Sequence, residues 1–209
     1  MTSQADRRAP TPRRALRGQT RSLLEPITLP PGANALDLGC RSGETIDLLS
    51  ELVGRSGRVV GVALNQTAGA SARALARHRG WGNVEIIHRD LSDTRLPPAS
   101  FDLVHVRSVL VETSAPGRVV EEIARLVRPG GWVAILEPDA ALAAGHPAHL
   151  DRYVARRLPH LLASAGMEQI IVEACGPLLR PKGPRDGVGE RWLPISYFLA
   201  RARRPALAV

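Results

Sequence analysis

The chain has 209 residues, of which 44% are hydrophobic and 23% charged. That composition suits one globular domain with a sizeable core, and it excludes collagen-like, fibrous and wholly disordered chains. The net charge of +8 rests on arginine, Lys182 being the only lysine, and Arg7, Arg8, Arg13, Arg14, Arg17 and Arg21 stand against Asp6 alone in the first 21 residues.

Residues 1–19 therefore read as a basic, solvated tail, with Pro10 and Pro12 breaking any long helix. The first residues expected to pack are Leu23, Leu24 and Ile27, at the start of a domain over residues 20–205. From there, short apolar runs alternate with helical patterns, as in an α/β fold with a parallel sheet. Strands are expected at Ala35–Leu38, Arg58–Leu64, Val84–His88, Phe101–Val106, Trp132–Leu136, Ile170–Ala174 and Ile195–Ala202. Helices are expected at Glu44–Val53, Thr67–His78, Gly117–Val127 and His149–Ala165, a tight turn at Arg128–Gly131 and a loop at Gly176–Gly189.

No apolar run approaches the roughly 18 residues of a membrane span, and no secretory h-region opens the chain. Cys40 and Cys175 form neither a CxxC pair nor part of a zinc-type cluster, so no metal is expected and a reducing cytoplasm is the default compartment.

Asp37-Leu38-Gly39-Cys40-Arg41-Ser42-Gly43 is the sharpest local feature, a glycine turn between a strand and a helix. Glycines there let a ligand lie close to the backbone at the carboxyl edge of a parallel sheet, and the following helix start offers N–H groups to an anion. The spacing is neither a dinucleotide fingerprint nor a phosphate loop.

ALDLGCRSGETIDLL resembles the first motif, D-x-G-x-G-x-G, of class I S-adenosylmethionine-dependent methyltransferases. GRVVGVALN, IIHRDLSDTRLPPASFDLVHVRSVL, RLVRPGGWVAILEPD, RRLPHLLASAGMEQIIVEA and YFLARARRP resemble later pieces of that family in order, over about residues 20–205. The resemblance implies a Rossmann-like, seven-stranded, mostly parallel sheet of order 3-2-1-4-5-7-6, helices on both faces and the last strand antiparallel. It implies S-adenosylmethionine as cofactor. Asp37, Gly39 and Gly43 would hold the methionine end, Asp90 and Leu91 the adenine, and Ser108 and Arg107 would lie near the sulfonium. The pattern is broken twice: Arg41 replaces the middle glycine, where it could reach the cofactor's carboxylate or simply fill the site, and Ala63 replaces the acid that grips the ribose, a loss that Asn65 or Gln66 could partly offset. An acid restored at position 63 would then tighten binding.

Methyl transfer needs alignment and, for some acceptors, a base. His105 and Arg107 are the catalytic candidates; His88, His146 and His149 are weaker ones, and Glu137 and Asp139 could orient a substrate. No Asn/Asp-Pro-Pro-Tyr follows the fourth strand, and aromatic residues are only 3%, too few for a base-stacking platform. A small-molecule acceptor, plausibly in secondary metabolism, is therefore favoured over nucleic acid. The short segments Ala140–Pro147 and Gly176–Gly189 leave little lid, which a homodimer could complete. The alternative is a protein of this fold that has lost methyl transfer and serves as a cyclase, a ligand-binding accessory or a subunit partner.

Overall fold

The computed structural model describes residues 12–142, 147–175 and 197–206. Seven strands form one sheet of order β3-β2-β1-β4-β5-β7-β6. They are β1 Asn34–Leu38, β2 Arg58–Ala63, β3 Val84–His88, β4 Phe101–Arg107, β5 Val127–Pro138, β6 Glu168–Cys175 and β7 Tyr197–Arg203. The first five pair in parallel, and β7 runs antiparallel to both β5 and β6. Helices α1 Pro12–Leu24, α2 Glu44–Val53, α3 Gln66–Arg79, α4 Pro116–Leu126 and α5 Leu158–Ser164 connect and cover it. This is the expected Rossmann-like architecture, strand for strand.

Alternation along each strand divides the core in two, because successive side chains leave a strand on opposite faces. Leu36, Val60, Val104 and Ile135 join α4 and α5 through Ile123 and Leu158. Ala35, Val59, Leu103 and Leu136 join α1 and α2 through Leu23, Ile46 and Leu49. Both faces of the central strands are sealed, which is why these segments read as continuous apolar runs.

Three expectations change. The solvated tail is shorter than its Arg-rich sequence suggests, because residues 12–24 form α1. Leu16 is half-buried and Thr20 and Leu23 are sealed, a helical stripe hidden by a polar member. Arg17 and Arg21 face the acids of α2, with Arg17 to Asp47 at 2.6 Å and Arg21 to Glu51 at 2.9 Å. Residues 1–11 and His146 lie outside the described residues, as does the whole of the expected loop Gly176–Gly189. The Arg128–Gly131 turn lies inside a longer β5, where the register with β4 shifts between Phe101 and Leu103. Gly130 and Gly131 there bond to the backbone of Arg204. Finally, the expected helix His149–Ala165 begins late. Asp151 accepts the N–H groups of Tyr153 (2.9 Å, side chain) and Val154 (3.2 Å, backbone), and a single 3-10 turn, Val154–Arg157, leads into α5.

Truncation now separates two segments. Removing residues 1–11 is expected to leave the melting temperature unchanged. Removing residues 1–18 also deletes the half-buried Leu16 and the Arg17–Asp47 pair, at a cost of about 1–2 kcal/mol. Thermal melts of the two truncations side by side check this. Equal melting temperatures would show that α1 is held by its second half alone.

Candidate functional site

The strand order reverses direction at β1, between β2 and β4, and a ligand crevice opens at such a point beyond the carboxyl ends of the strands. The chain has a cleft of about 590 Å³ at this place. After β1 the backbone turns tightly. The N–H groups of Gly39 and Cys40 both donate to Val62 O, at 2.9 and 3.0 Å, and Gly43 N donates to Cys40 O at 2.8 Å. Gly39 has φ +89°, and a Cβ at this position would overlap the Val109 side chain. Only glycine lets the β1 turn and the loop after β4 approach so closely.

Gly39, Arg41, Asn65, Asp90 and Leu91 all line the cleft, so five of the expected site residues meet at one crevice. Their local roles differ. Asn65 caps α3, its Oδ1 accepting Ala68 N at 2.8 Å, which commits the carbonyl and leaves the amide nitrogen for other work. Asp90 closes a turn: Oδ1 accepts the backbone N–H of Ser92 at 2.7 Å and its hydroxyl at 2.8 Å. These two bonds hold the Asp90 carboxyl below the usual range, so it stays an ionised acceptor at the rim.

The remaining expected residues flank or underlie the cleft. Gly43, with φ +83°, is the point where α2 meets α3, since a Cβ there would press on Ala72 at 3.1 Å. Ser108 contributes its carbonyl, which accepts Arg41 at 3.1 Å. Asp37 is buried, its Oδ1 2.8 Å from His105 Nδ1 on the adjoining strand.

Neither catalytic candidate is among the residues that line the cleft. The His105 ring is wholly buried, paired to Asp37, and Nε2 has no partner among the described residues. A base must reach the acceptor's proton, and this ring reaches no solvent-facing surface. Arg107 alternates with Val106 onto the α1–α2 face and pairs with Glu44 at 3.1 Å, with its side chain 12% exposed. Each is paired with an acid: His105 with Asp37 of β1 and Arg107 with Glu44 of α2. Of the weaker histidines, His88 Nε2 bonds Leu64 O at 2.8 Å and His149 is exposed. Asp139 is taken by Arg156 through contacts of 2.8 to 3.2 Å.

Sequence reasoning missed Leu64 and the work of Glu137. Leu64 is 60% exposed and lines the cleft just beyond β2, an apolar platform where a soluble chain would otherwise place a polar residue. Its signal was an apolar residue directly after a strand end. Glu137 is fully buried on β5 and accepts three backbone N–H groups, from Val109 (2.7 Å), Leu110 (2.9 Å) and Val111 (3.3 Å). It thereby holds the loop that forms one wall of the cleft, and it does not face a substrate. Desolvation pushes its carboxyl up to about 7, against the opposing pull of the three donors.

Ala63 is also not where the family pattern places a ribose-facing group. It is wholly buried, and a Cβ on Gly69 of α3 would stand 3.0 Å from its methyl. An Ala63→Asp side chain would displace the first turns of α3 before reaching the cleft. The variant is therefore expected to lose about 1–3 kcal/mol, the cost of a buried unpaired polar group, with no gain in ligand affinity. Chemical denaturation and a binding titration on the same preparation check both halves.

Comparison with known proteins agrees with the geometry. Residues 36–135 match the family described as methyltransferase domain. The chain is 34% identical over 119 residues to nocamycin O-methyltransferase of Saccharothrix syringae, which covers 56% of this chain and 42% of that protein. It is 34% identical over 111 residues to 2-phytyl-1,4-naphtoquinone methyltransferase of Thermosynechococcus vestitus, covering 53% of this chain and 48% of that one. These matches span less than half the length of the curated relatives. Among solved structures, the (4+2) cyclase SpnF superposes with a TM-score of 0.75 at 22% identity, over 97% of this chain and 86% of that chain. A SAM-dependent methyltransferase from Aquifex aeolicus gives 0.66 at 22% identity, over 92% and 93%.

Proposed function

We propose, from this chain's membership of the class I methyltransferase family, that it transfers a methyl group from S-adenosylmethionine to a small molecule. The observation that carries the reading is the convergence of Gly39, Leu64, Asp90 and Leu91 on one cleft at the carboxyl ends of β1 to β3. The donor set suits an adenosyl ligand. Leu64, Leu91 and Val109 offer apolar surface for a purine, the Asp90 carboxylate offers an acceptor to an exocyclic amine, and the Gly39 turn brings backbone close. S-adenosylmethionine, when bound, supplies the electrophilic methyl on a sulfonium. The chain's own part is orientation. Glu137 fixes the wall at Val109, the Asp37–His105 pair fixes the floor beneath Gly39, and the Asn65 amide is placed for a neutral hydrogen bond to the ligand.

A small acceptor is supported by the O-methyltransferase and quinone methyltransferase relatives and by the lack of aromatic side chains lining the cleft among the described residues. Within this reading the reaction is cytoplasmic and belongs to secondary metabolism, and a second copy of the chain completes the acceptor side. No helix among the described residues is long and apolar enough to cross a membrane. Calorimetry with S-adenosylhomocysteine is the test. Saturable binding supports the reading, and no heat at millimolar ligand overturns it.

A second reading has its own support. No acid at the end of β2 lines the cleft among the described residues, and Arg41 occupies the middle position of the glycine turn. A chain of this fold that binds the nucleoside without transferring a methyl group, as a cyclase or an accessory subunit, fits those departures. Binding with no turnover across oxygen, nitrogen and carbon acceptors would favour it.

A further inference from the structure

Arg41 lies in the left-handed region, φ +42°, the backbone state that the glycine turn demands and that a side chain rarely adopts. Its guanidinium reaches from the β1 turn to the loop after β4, where it donates to Ser108 O at 3.1 Å and forms an ion pair with Glu112. Arg41 and Glu112 both line the cleft and are 48% and 59% exposed. An ion pair this exposed is weak and is exchanged at little cost. Among the described residues lining the cleft, the acids are Asp90 and Glu112 and the only cation is Arg41. An anionic group entering between two carboxylates has this one guanidinium to meet. A guanidinium binds a carboxylate through two parallel hydrogen bonds.

We infer that Arg41 is the carboxylate-recognising residue of the cleft, exchanging Glu112 for the α-carboxylate of an amino-acid-bearing nucleoside. The inference rests on the reading above that the cleft takes such a ligand. The ion pair is then a ligand-exchanged latch. It holds the guanidinium in reach of the cleft when no carboxylate is present, and Glu112 competes with every ligand that carries one. Selectivity follows, because a nucleoside without the amino-acid tail gains nothing from Arg41.

The test titrates S-adenosylhomocysteine and 5′-methylthioadenosine, which lacks the carboxylate, into wild type, Arg41→Met, Glu112→Gln and the double variant. Arg41→Met keeps a non-glycine residue at this strained position, so the turn is perturbed least. It is expected to weaken S-adenosylhomocysteine about tenfold to a hundredfold, the range of a lost charged hydrogen bond. Glu112→Gln is expected to tighten it about twofold to fivefold, as an exposed competitor is removed. That gain should vanish in the double variant, because it acts through Arg41. Affinity for 5′-methylthioadenosine should stay level throughout. Equal S-adenosylhomocysteine affinity in wild type and Arg41→Met overturns the inference and leaves the cofactor reading standing. A Glu112→Gln gain that persists without Arg41 also overturns it, showing simple repulsion. If neither nucleoside binds wild type, the functional reading itself falls.

Discussion

Asp37→Ala is expected to lower the unfolding free energy by about 3 kcal/mol, where the range for a hydrogen bond to a charged group meets that for a broken buried pair. The carboxylate is 2% exposed and bonds a histidine that is wholly buried and whose other nitrogen has no partner among the described residues. Alanine would strand that ring in the apolar layer formed by Leu103, Ala134 and Leu136. The same substitution loosens the floor of the cleft, since Leu38 and Gly39 follow directly, so ligand affinity should fall further than for any single change on β2. Asp37→Asn separates the contributions. It keeps an oxygen for His105 Nδ1 and should recover most of the stability. Asp37→Ala combined with His105→Ala should cost less than the two changes added together. Denaturant midpoints for the four proteins check the cycle. An Asp37→Ala midpoint that overlays wild type would show that the pair contributes nothing net.

The sheet was legible because each central strand is an apolar run closed by a turn signal, and because six motif-bearing pieces follow one another in family order. All seven strands overlap their expected positions. What stayed hidden was long-range. Sequence places His105 in a strand pattern but does not say which face it takes; pairing with Asp37 across 68 residues decides that, and turns a candidate base into a buried support. Glu137 read as a strand-end acid, and its three N–H partners lie 26 to 28 residues away. Helix α1 was obscured for a different reason. Arg17 and Arg21 look like part of a solvated run until Asp47 and Glu51 of α2 are seen opposite them. Gly39, Arg41, Asn65, Asp90 and Leu91 meet at one cleft because each lies within a few residues of a strand end, where topology alone brings them to one edge.

Glu137→Gln is expected to destabilise the chain below about pH 4.5, with the gap to wild type closing or reversing by about pH 7, and the direction follows from its surroundings. The carboxylate uses Oε1 for two N–H groups and Oε2 for a third. An amide of the same shape must turn an NH2 toward one of these donors, at a cost of about 1–3 kcal/mol for the bond lost. Desolvation raises the wild-type carboxyl from 4.5 to about 7 in the folded chain, with the nearby charge of Glu112 adding to the rise. A group raised on folding stabilises fully below its unfolded value and loses that contribution as pH climbs through the folded one. Wild type should therefore lose stability relative to Glu137→Gln between about pH 4.5 and 7, by about 3 kcal/mol for a shift of this size. Paired denaturation curves across that interval, at constant ionic strength, read the difference. Other carboxylates such as Glu122, which is shifted downward, cancel in the comparison because both proteins carry them. A gap that narrows as pH rises matches the expectation. A gap that widens would mean that the three donors outweigh desolvation and keep Glu137 ionised. Either sign bears on the cleft, because the loop from Val109 to Val111 hangs on this one side chain. Weaker nucleoside binding in Glu137→Gln at every pH is the corresponding functional result.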